Sequence, residues 1–210
     1  WISGVVLLYL TFGAALTGQL LRWDQDGVWT VVVAANFAGR VPLIGEHLAQ
    51  LILAGETAGG ATLSQAFALH VFLIPIAIVL LIGVHLFLVL YHGVSELPRA
   101  GKPVNPETYD EEYEAYVEKY NRPYWPGGIW TELLFGALVV IVIVSLAFFI
   151  GPRELGPPPD LTDLEAQPRP DWFLIWYYAL ISVKPHGMEE FFLVYLPLGF
   201  FVFLLIMPLL

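Results

Sequence analysis

Residues 61–92 read ATLSQAFALHVFLIPIAIVLLIGVHLFLVLYH, and between Ala66 and Leu90 the only side chains able to carry charge are those of His70 and His85. A run of about 20 apolar helical residues crosses the hydrocarbon core of a bilayer, so this stretch predicts a transmembrane helix. Ionisable groups are costly inside such a span and default to a functional reading. Fifteen residues separate the two histidines, which on an α-helix sets them about 22 Å apart along the axis and within about 60° of one face. One imidazole is thus expected near each leaflet. A single metal held by two histidines of one helix needs them three or four residues apart; this interval instead suits two haems, one above the other, each taking one axial ligand from the helix. The competing reading gives both histidines hydrogen bonds to neighbouring helices and no iron.

The first apolar run, Trp1 to Leu21, carries Gly4 and Gly18 fourteen residues apart, nearly the histidine interval. A porphyrin edge can approach a helix backbone closely only where no side chain intervenes, and glycine provides that. Two glycine levels therefore match two histidine levels. The alternative is ordinary small-residue helix packing, and Gly13 shows that glycine is not confined to those levels.

Further uncharged stretches at Leu133 to Ile150 and Phe191 to Leu210, with hydrophobic residues at 58% and charged ones at 13%, predict an all-α membrane protein. The expected fold is a bundle of four transmembrane helices with interfacial helices between them. RWDQDGVW (Arg22 to Trp29) marks a membrane interface by its charge and flanking tryptophans. Thr30 to Leu53, interrupted by Asn36, Arg40, Pro42, Gly45, Glu46 and His47, reads as one or two short helices along that interface. GETAGG (Gly55 to Gly60) is a turn, and HGVSELPRAGKP (His92 to Pro103) ends the histidine helix. Tyrosines at 109, 113, 116 and 120 recur with helical spacing, predicting a short amphipathic helix within Glu107 to Asn121. Pro157 to Pro170 cannot be regular helix, and Pro170 to Pro185 reads as an aromatic interfacial helix.

Three regions follow: 1–95, two spans with interfacial helices; 96–127, a surface linker; and 128–210, two further spans with a loop between them. The chain starts without Met inside one apolar run and ends inside another, so it reads as a fragment without a targeting segment. Absence of Cys excludes disulfides, thiolate-bound iron–sulfur clusters and covalent haem attachment. A net charge of −10 argues against nucleic-acid binding. Basic residues fall on both sides, Arg99, Lys102, Lys119 and Arg122 on one and Arg22, Arg40, Arg153, Arg169 and Lys184 on the other, and do not orient the chain.

Asp171 stands in RPDWF (Arg169 to Phe173), where an aromatic setting favours a shielded carboxylate able to act as a general base toward a quinol that must shed protons as it sheds electrons. The plainer reading makes it a helix N-cap. His92, just past the end of the histidine helix, is placed to bind a quinone on the other side or simply to be solvated. His47 and His186 suggest no role.

Collectively these residues resemble cytochrome b of the quinol:cytochrome c (or plastocyanin) oxidoreductases, the bc-type complexes of mitochondria, bacteria and chloroplasts. WISGVVLLYL, Thr17-Gly18, WDQDGVW, Asn36, VPLIG (Val41 to Gly45) and ATLSQAFALH are similar to that family's third span, interfacial helices and fourth span. HGVSELP and RPDWF follow in order, the latter similar to the family's PEWY motif with aspartate for glutamate and phenylalanine for tyrosine. The fragment would run from the third to the sixth transmembrane helix.

The resemblance implies that His70 ligates the low-potential haem b and His85 the high-potential one, with Gly4 and Gly18 as haem contacts. It makes Asp171 the acceptor of a quinol proton on the outer side, Trp172 and Phe173 the walls of that pocket, and His92 a neighbour of the inner quinone site. The chain would then be a quinol-oxidising oxidoreductase subunit, active only within its complex. The second axial ligands would belong to a preceding helix. A Rieske-type iron–sulfur subunit and a c-type cytochrome are the implied partners, docking near Thr30 to Leu53, in a complex that is itself a dimer. The fifteen-residue histidine interval resembles the chloroplast-type and several bacterial branches, while the unsplit continuation through RPDWF is unlike chloroplasts; a bacterial or archaeal cell membrane fits. Gln65 stands where the family commonly has an arginine near a haem propionate, and Phe173 lacks the tyrosine hydroxyl. Outside this family, the same features would suit a proton-coupled transporter with histidine relays, or a quinone-binding membrane anchor without haem.

Overall fold

The computed structural model describes residues 1–93, 101, 103–121, 123–152, 154–163, 165, 167 and 169–209. Most of the predicted turn from His92 to Pro103 lies outside them, as do Arg99, Lys102, Arg122 and Arg153. Among the described residues there is no strand, and four helices are long and apolar enough to cross a bilayer: Ile2–Leu20, Gly60–His92, Trp125–Ile150 and Phe191–Leu209. This is a multi-pass membrane protein.

Two compact units divide the chain. The first comprises Trp1–Leu88 with Leu155–Leu210 and the second Val89–Glu154. In the first unit, α1 (Ile2–Leu20) leads to α2 (Gln25–Gly39) and α3 (Gly45–Leu53), so the segment expected from Thr30 to Leu53 as one or two helices forms two, the first beginning earlier, at Gln25, where Asp24 caps it. α4 (Gly60–Ala68) passes through a π turn at Leu69–Leu73 into α5 (Ile74–His92) without leaving the span. After the proline-rich loop, a 3-10 turn at Trp172–Leu174 opens α8 (Ile175–Ser182), and α9 (Leu196–Ile206) follows a second π turn at Phe191–Tyr195. In the second unit, α6 (Tyr109–Tyr120) is the amphipathic helix predicted from its tyrosines, which pair along it as Tyr109 with Tyr113 and Tyr116 with Tyr120. α7 (Ile129–Ile150) has no buried residue within this chain, as expected of a rod whose apolar surface faces lipid or other chains.

Where α1 ends, the backbone is held by local chemistry. Trp23 takes a left-handed conformation (φ 48°), which for a bulky residue costs on the order of 1–2 kcal/mol. That turn delivers Asp24 to the N-cap of α2, where its carboxylate accepts from Gly27 N–H at 2.9 Å; such caps contribute about 1 kcal/mol. α2 and α3 then cross so closely that a Cβ on Gly45 would lie 2.2 Å from the Gly39 carbonyl oxygen. Backbone cannot yield there, so only glycine fits. A small core of Leu20, Val31 and Ala66, packed by Leu21, Trp23, Ile52, Leu53 and Ala58, joins α1, α2 and α4. Thr62 locks the α3–α4 turn, accepting from Gly59 N–H and donating to the Leu53 carbonyl. Together these contacts fix the level at which the C-terminal end of α1 meets the start of the histidine helix.

Candidate functional site

The N-terminal half of α1 lies against α5, and its C-terminal half against α4 and the π turn. Ser3 Oγ is 2.8 Å from His85 Nδ1. His70 Nδ1 lies 3.0 Å from the Ala14 carbonyl and 3.2 Å from Thr17 Oγ1. A Cβ built on Gly4 would sit 3.5 Å from His85 Cε1, and one on Gly18 only 2.7 Å from His70 Cε1. Each predicted glycine therefore stands beside one predicted histidine, level by level, and both imidazoles are half-buried.

These contacts constrain the rings chemically. The Ala14 carbonyl can only accept, so a hydrogen bond to it requires that His70 Nδ1 carry the proton. Thr17 uses its single hydroxyl hydrogen on the Gly13 or Ala14 carbonyl and so offers His70 a lone pair, which agrees. Nε2 of His70 is then the nitrogen with a free electron pair, the arrangement that a second-shell acceptor imposes on a metal-binding histidine. Ser3 Oγ occupies His85 Nδ1 at 2.8 Å, and where the hydroxyl accepts from that nitrogen it likewise leaves the Nε2 electron pair free. Among the described residues no three His, Asp or Glu gather at one place, and each level brings together one imidazole, one hydroxyl and one glycine. That donor set fits an axial haem ligand in a glycine-lined cradle better than a carboxylate-rich metal centre.

A family profile described as "Cytochrome b(N-terminal)/b6/petB" matches residues 1–158. The chain belongs to the cytochrome b family. Cytochrome b of Rhodobacter capsulatus is 28% identical over 188 residues, covering 86% of this chain and 40% of that protein. Cytochrome b of Phytophthora megasperma is 28% identical over 193 residues, 89% of this chain and 45% of that protein. Cytochrome b6 of Synechococcus elongatus is 35% identical over 95 residues, 45% of this chain and 44% of that protein. The chain thus spans less than half the length of these curated relatives. A solved structure described as "Hyperthermophilic respiratory Complex III" shares the fold, with a TM-score of 0.64 at 24% identity over all of this chain and 53% of that one.

In this cytochrome b-family chain, Asp171 occupies the N-cap position of the 3-10 turn at Trp172–Leu174, and its carbonyl accepts from Leu174 N–H at 2.9 Å. Its side chain makes no capping bond, so the plain N-cap reading does not account for the carboxylate. Trp172 is exposed and Phe173 half-buried, their rings edge to face at 5.9 Å. His92 is exposed at the end of α5, its ring edge-on to Tyr91. Gln65 donates to the Leu51 carbonyl at 2.7 Å.

Asp24, which sequence reading passed over, tethers the loop that leads to Asp171. Beyond capping α2 it pairs with Arg22 and accepts from Gly156 N–H at 2.9 Å. Gln25 adds a backbone bond to the Pro157 carbonyl and a side-chain bond to the Asp160 carbonyl, and Asp26 Oδ1 accepts from Arg169 N–H at 3.3 Å. The first turn of α2 thus holds both ends of the segment 156–169. Burial opposes ionisation of Asp24, but the amides of Gly156 and Gly27 and the Arg22 guanidinium outweigh it and hold the carboxyl below its ordinary value. Because the folded-state pKa is lowered, the anchor's stabilisation is present above the unfolded value of about 3.9 and is lost as pH falls through the folded one. Asp24→Ala is expected to destabilise the chain by about 3 kcal/mol, given the cap and charge-assisted bonds removed. Thermal unfolding of the purified protein and protease cleavage within 155–169 check it; unchanged cleavage would show that the loop is held elsewhere.

Ser3 and Thr17 were also missed. Their signal was present: a hydroxyl residue immediately precedes each glycine, Ser3-Gly4 and Thr17-Gly18, at the same fourteen-residue interval.

Proposed function

We propose that this chain is part of a haem b-carrying membrane subunit that moves electrons from quinol across the bilayer, with proton release on the face that carries Asp171. The observation that supports this most directly is the double pairing of Gly4 with His85 and Gly18 with His70. His70 and His85 would each hold one haem b through Nε2. The bound haems would supply one-electron transfer between the two membrane levels. Ser3, Ala14 and Thr17 orient the imidazoles through Nδ1, and the glycines keep side chains out of the cradle.

Asp171 accepts a proton from the quinol hydroxyl as the quinol is oxidised, with Trp172 and Phe173 flanking the ring. His92 lies at the quinone-reducing end. The bond from Arg169 N–H to Asp26 ties the segment before Asp171 to the first turn of α2, close in sequence to Thr17 and Gly18, which supports a proton acceptor on the His70 side. A Rieske-type iron–sulfur subunit and a c-type cytochrome would be the partners, in a dimeric complex of a bacterial or archaeal cell membrane.

The test is quinol oxidation by the intact complex. A positioned general base contributes about 10²–10⁴-fold, so Asp171→Asn is expected to slow turnover by about 10²-fold or more while the b-type spectrum stays intact, and Asp171→Glu to restore most of the rate. Wild-type turnover in Asp171→Asn would remove the carboxylate from the mechanism.

A further inference from the structure

The helix that carries both histidines is not uniform. At Leu69–Leu73 it widens into a π turn, with Ile74 N–H bonding the Leu69 carbonyl five residues back, and His70 is the second residue of that turn. α1 is unbroken α-helix from Ile2 to Leu20. Along such a helix fourteen residues bring Gly18 to about 40° short of the direction of Gly4, whereas fifteen α-helical residues would carry His85 about 60° past that of His70. The two intervals therefore disagree by about 100°, a full residue of helical rotation. Two plain α-helices side by side would seat one imidazole on its glycine and turn the other away.

A π turn takes in one extra residue with little advance of the helix around its axis. With it, the fifteen-residue interval rotates like fourteen, and both rings meet their glycines, as observed. The turn also delivers Ile74, the buried residue of α5, to within 3.7 Å of where a Gly13 Cβ would stand. We infer that the π turn at Leu69–Leu73 is a register-setting device: it absorbs the additional residue between His70 and His85 so that both imidazoles face the fourteen-residue glycine ladder of α1. Its residues are positioning residues, acting through the histidines. The inference rests on the proposed function only in taking the two levels as haem sites.

The test uses the full-length protein in its complex. Phe72 lies in the turn and is 56% exposed, so deleting it opens no core. Deletion leaves fourteen residues between the histidines and lets the turn close into α-helix; two b-type haems per chain are expected, as in wild type. Insertion of one alanine after Phe72 makes the interval sixteen, beyond what one π turn absorbs, and is expected to leave one haem, read by pyridine haemochrome content and by the low-temperature b-band spectrum. A Phe72 deletion that accumulates normally but holds one haem overturns the inference, as does an insertion that keeps both. Should the deletion fail to accumulate, an experimental map of the wild type decides: Ile74 N–H bonded to the Leu69 carbonyl supports the device, and bonded to the His70 carbonyl with both rings on their glycines refutes it. A wild type without haem would instead overturn the proposed function, and the map alone would then judge the turn.

Discussion

In the intact protein, His70→Ala and His85→Ala are each expected to remove about half of the b-type absorbance in a reduced-minus-oxidised spectrum, and the double variant nearly all of it. The two losses add because the rings sit on different levels of one helix, about 22 Å apart, and are held by different partners, Ser3 on one and Ala14 with Thr17 on the other. Alanine offers iron no ligand, and among the described residues no group of three His, Asp or Glu forms an alternative metal site. Loss of one signal should therefore leave the other near its wild-type wavelength and potential. A wild-type spectrum without b bands, in material grown with sufficient haem, would refute the reading outright and favour proton transport or a haem-less quinone anchor.

Substitution of the two glycines should have unequal effects. At Gly18 a new Cβ would fall 2.7 Å from His70 Cε1, closer than real Cβ atoms approach, whereas at Gly4 it would meet His85 Cε1 at an ordinary 3.5 Å. Overpacking of this kind costs about 1–3 kcal/mol, and His70 cannot swing away without losing its bonds to Ala14 and Thr17. Gly18→Ala is accordingly expected to lower occupancy of the His70 level several-fold and Gly18→Val to abolish it, while Gly4→Ala stays close to wild type. Alanine is a better helix former than glycine by about 1 kcal/mol, so a defect in Gly18→Ala cannot be assigned to a weakened α1. Equal behaviour of Gly4→Ala and Gly18→Ala would show that the cradle is not shaped as described.

The spans and the two facing levels were legible because a bilayer demands long apolar runs, and against such runs a histidine or glycine at a fixed interval stands out. α2 and α3 were legible as interruptions of polarity from Thr30 to Leu53. The π turn at Leu69–Leu73 was not, since the helix that follows it is apolar on every side, and its one trace, the residue by which the histidine interval exceeds the glycine interval, has meaning only once the two helices are seen to pair. Asp24 was missed for a different reason. Its decisive partner is the backbone N–H of Gly156, more than a hundred residues downstream, and an amide has no signature in a sequence. Asp171 was visible as a carboxylate among aromatics, but sequence alone left its capping role open until the structure showed that its side chain makes no capping bond.

The stitching of the 156–169 segment to the first turn of α2 has a consequence for biogenesis. On the proposed reading it fixes which compartment becomes acidified, because the carboxylate cannot migrate to the other leaflet once the helices are threaded. Sidedness is then settled at insertion and is beyond the reach of turnover: a molecule inserted upside down would fold equally well, yet it would discharge the gradient that its correctly oriented neighbours build.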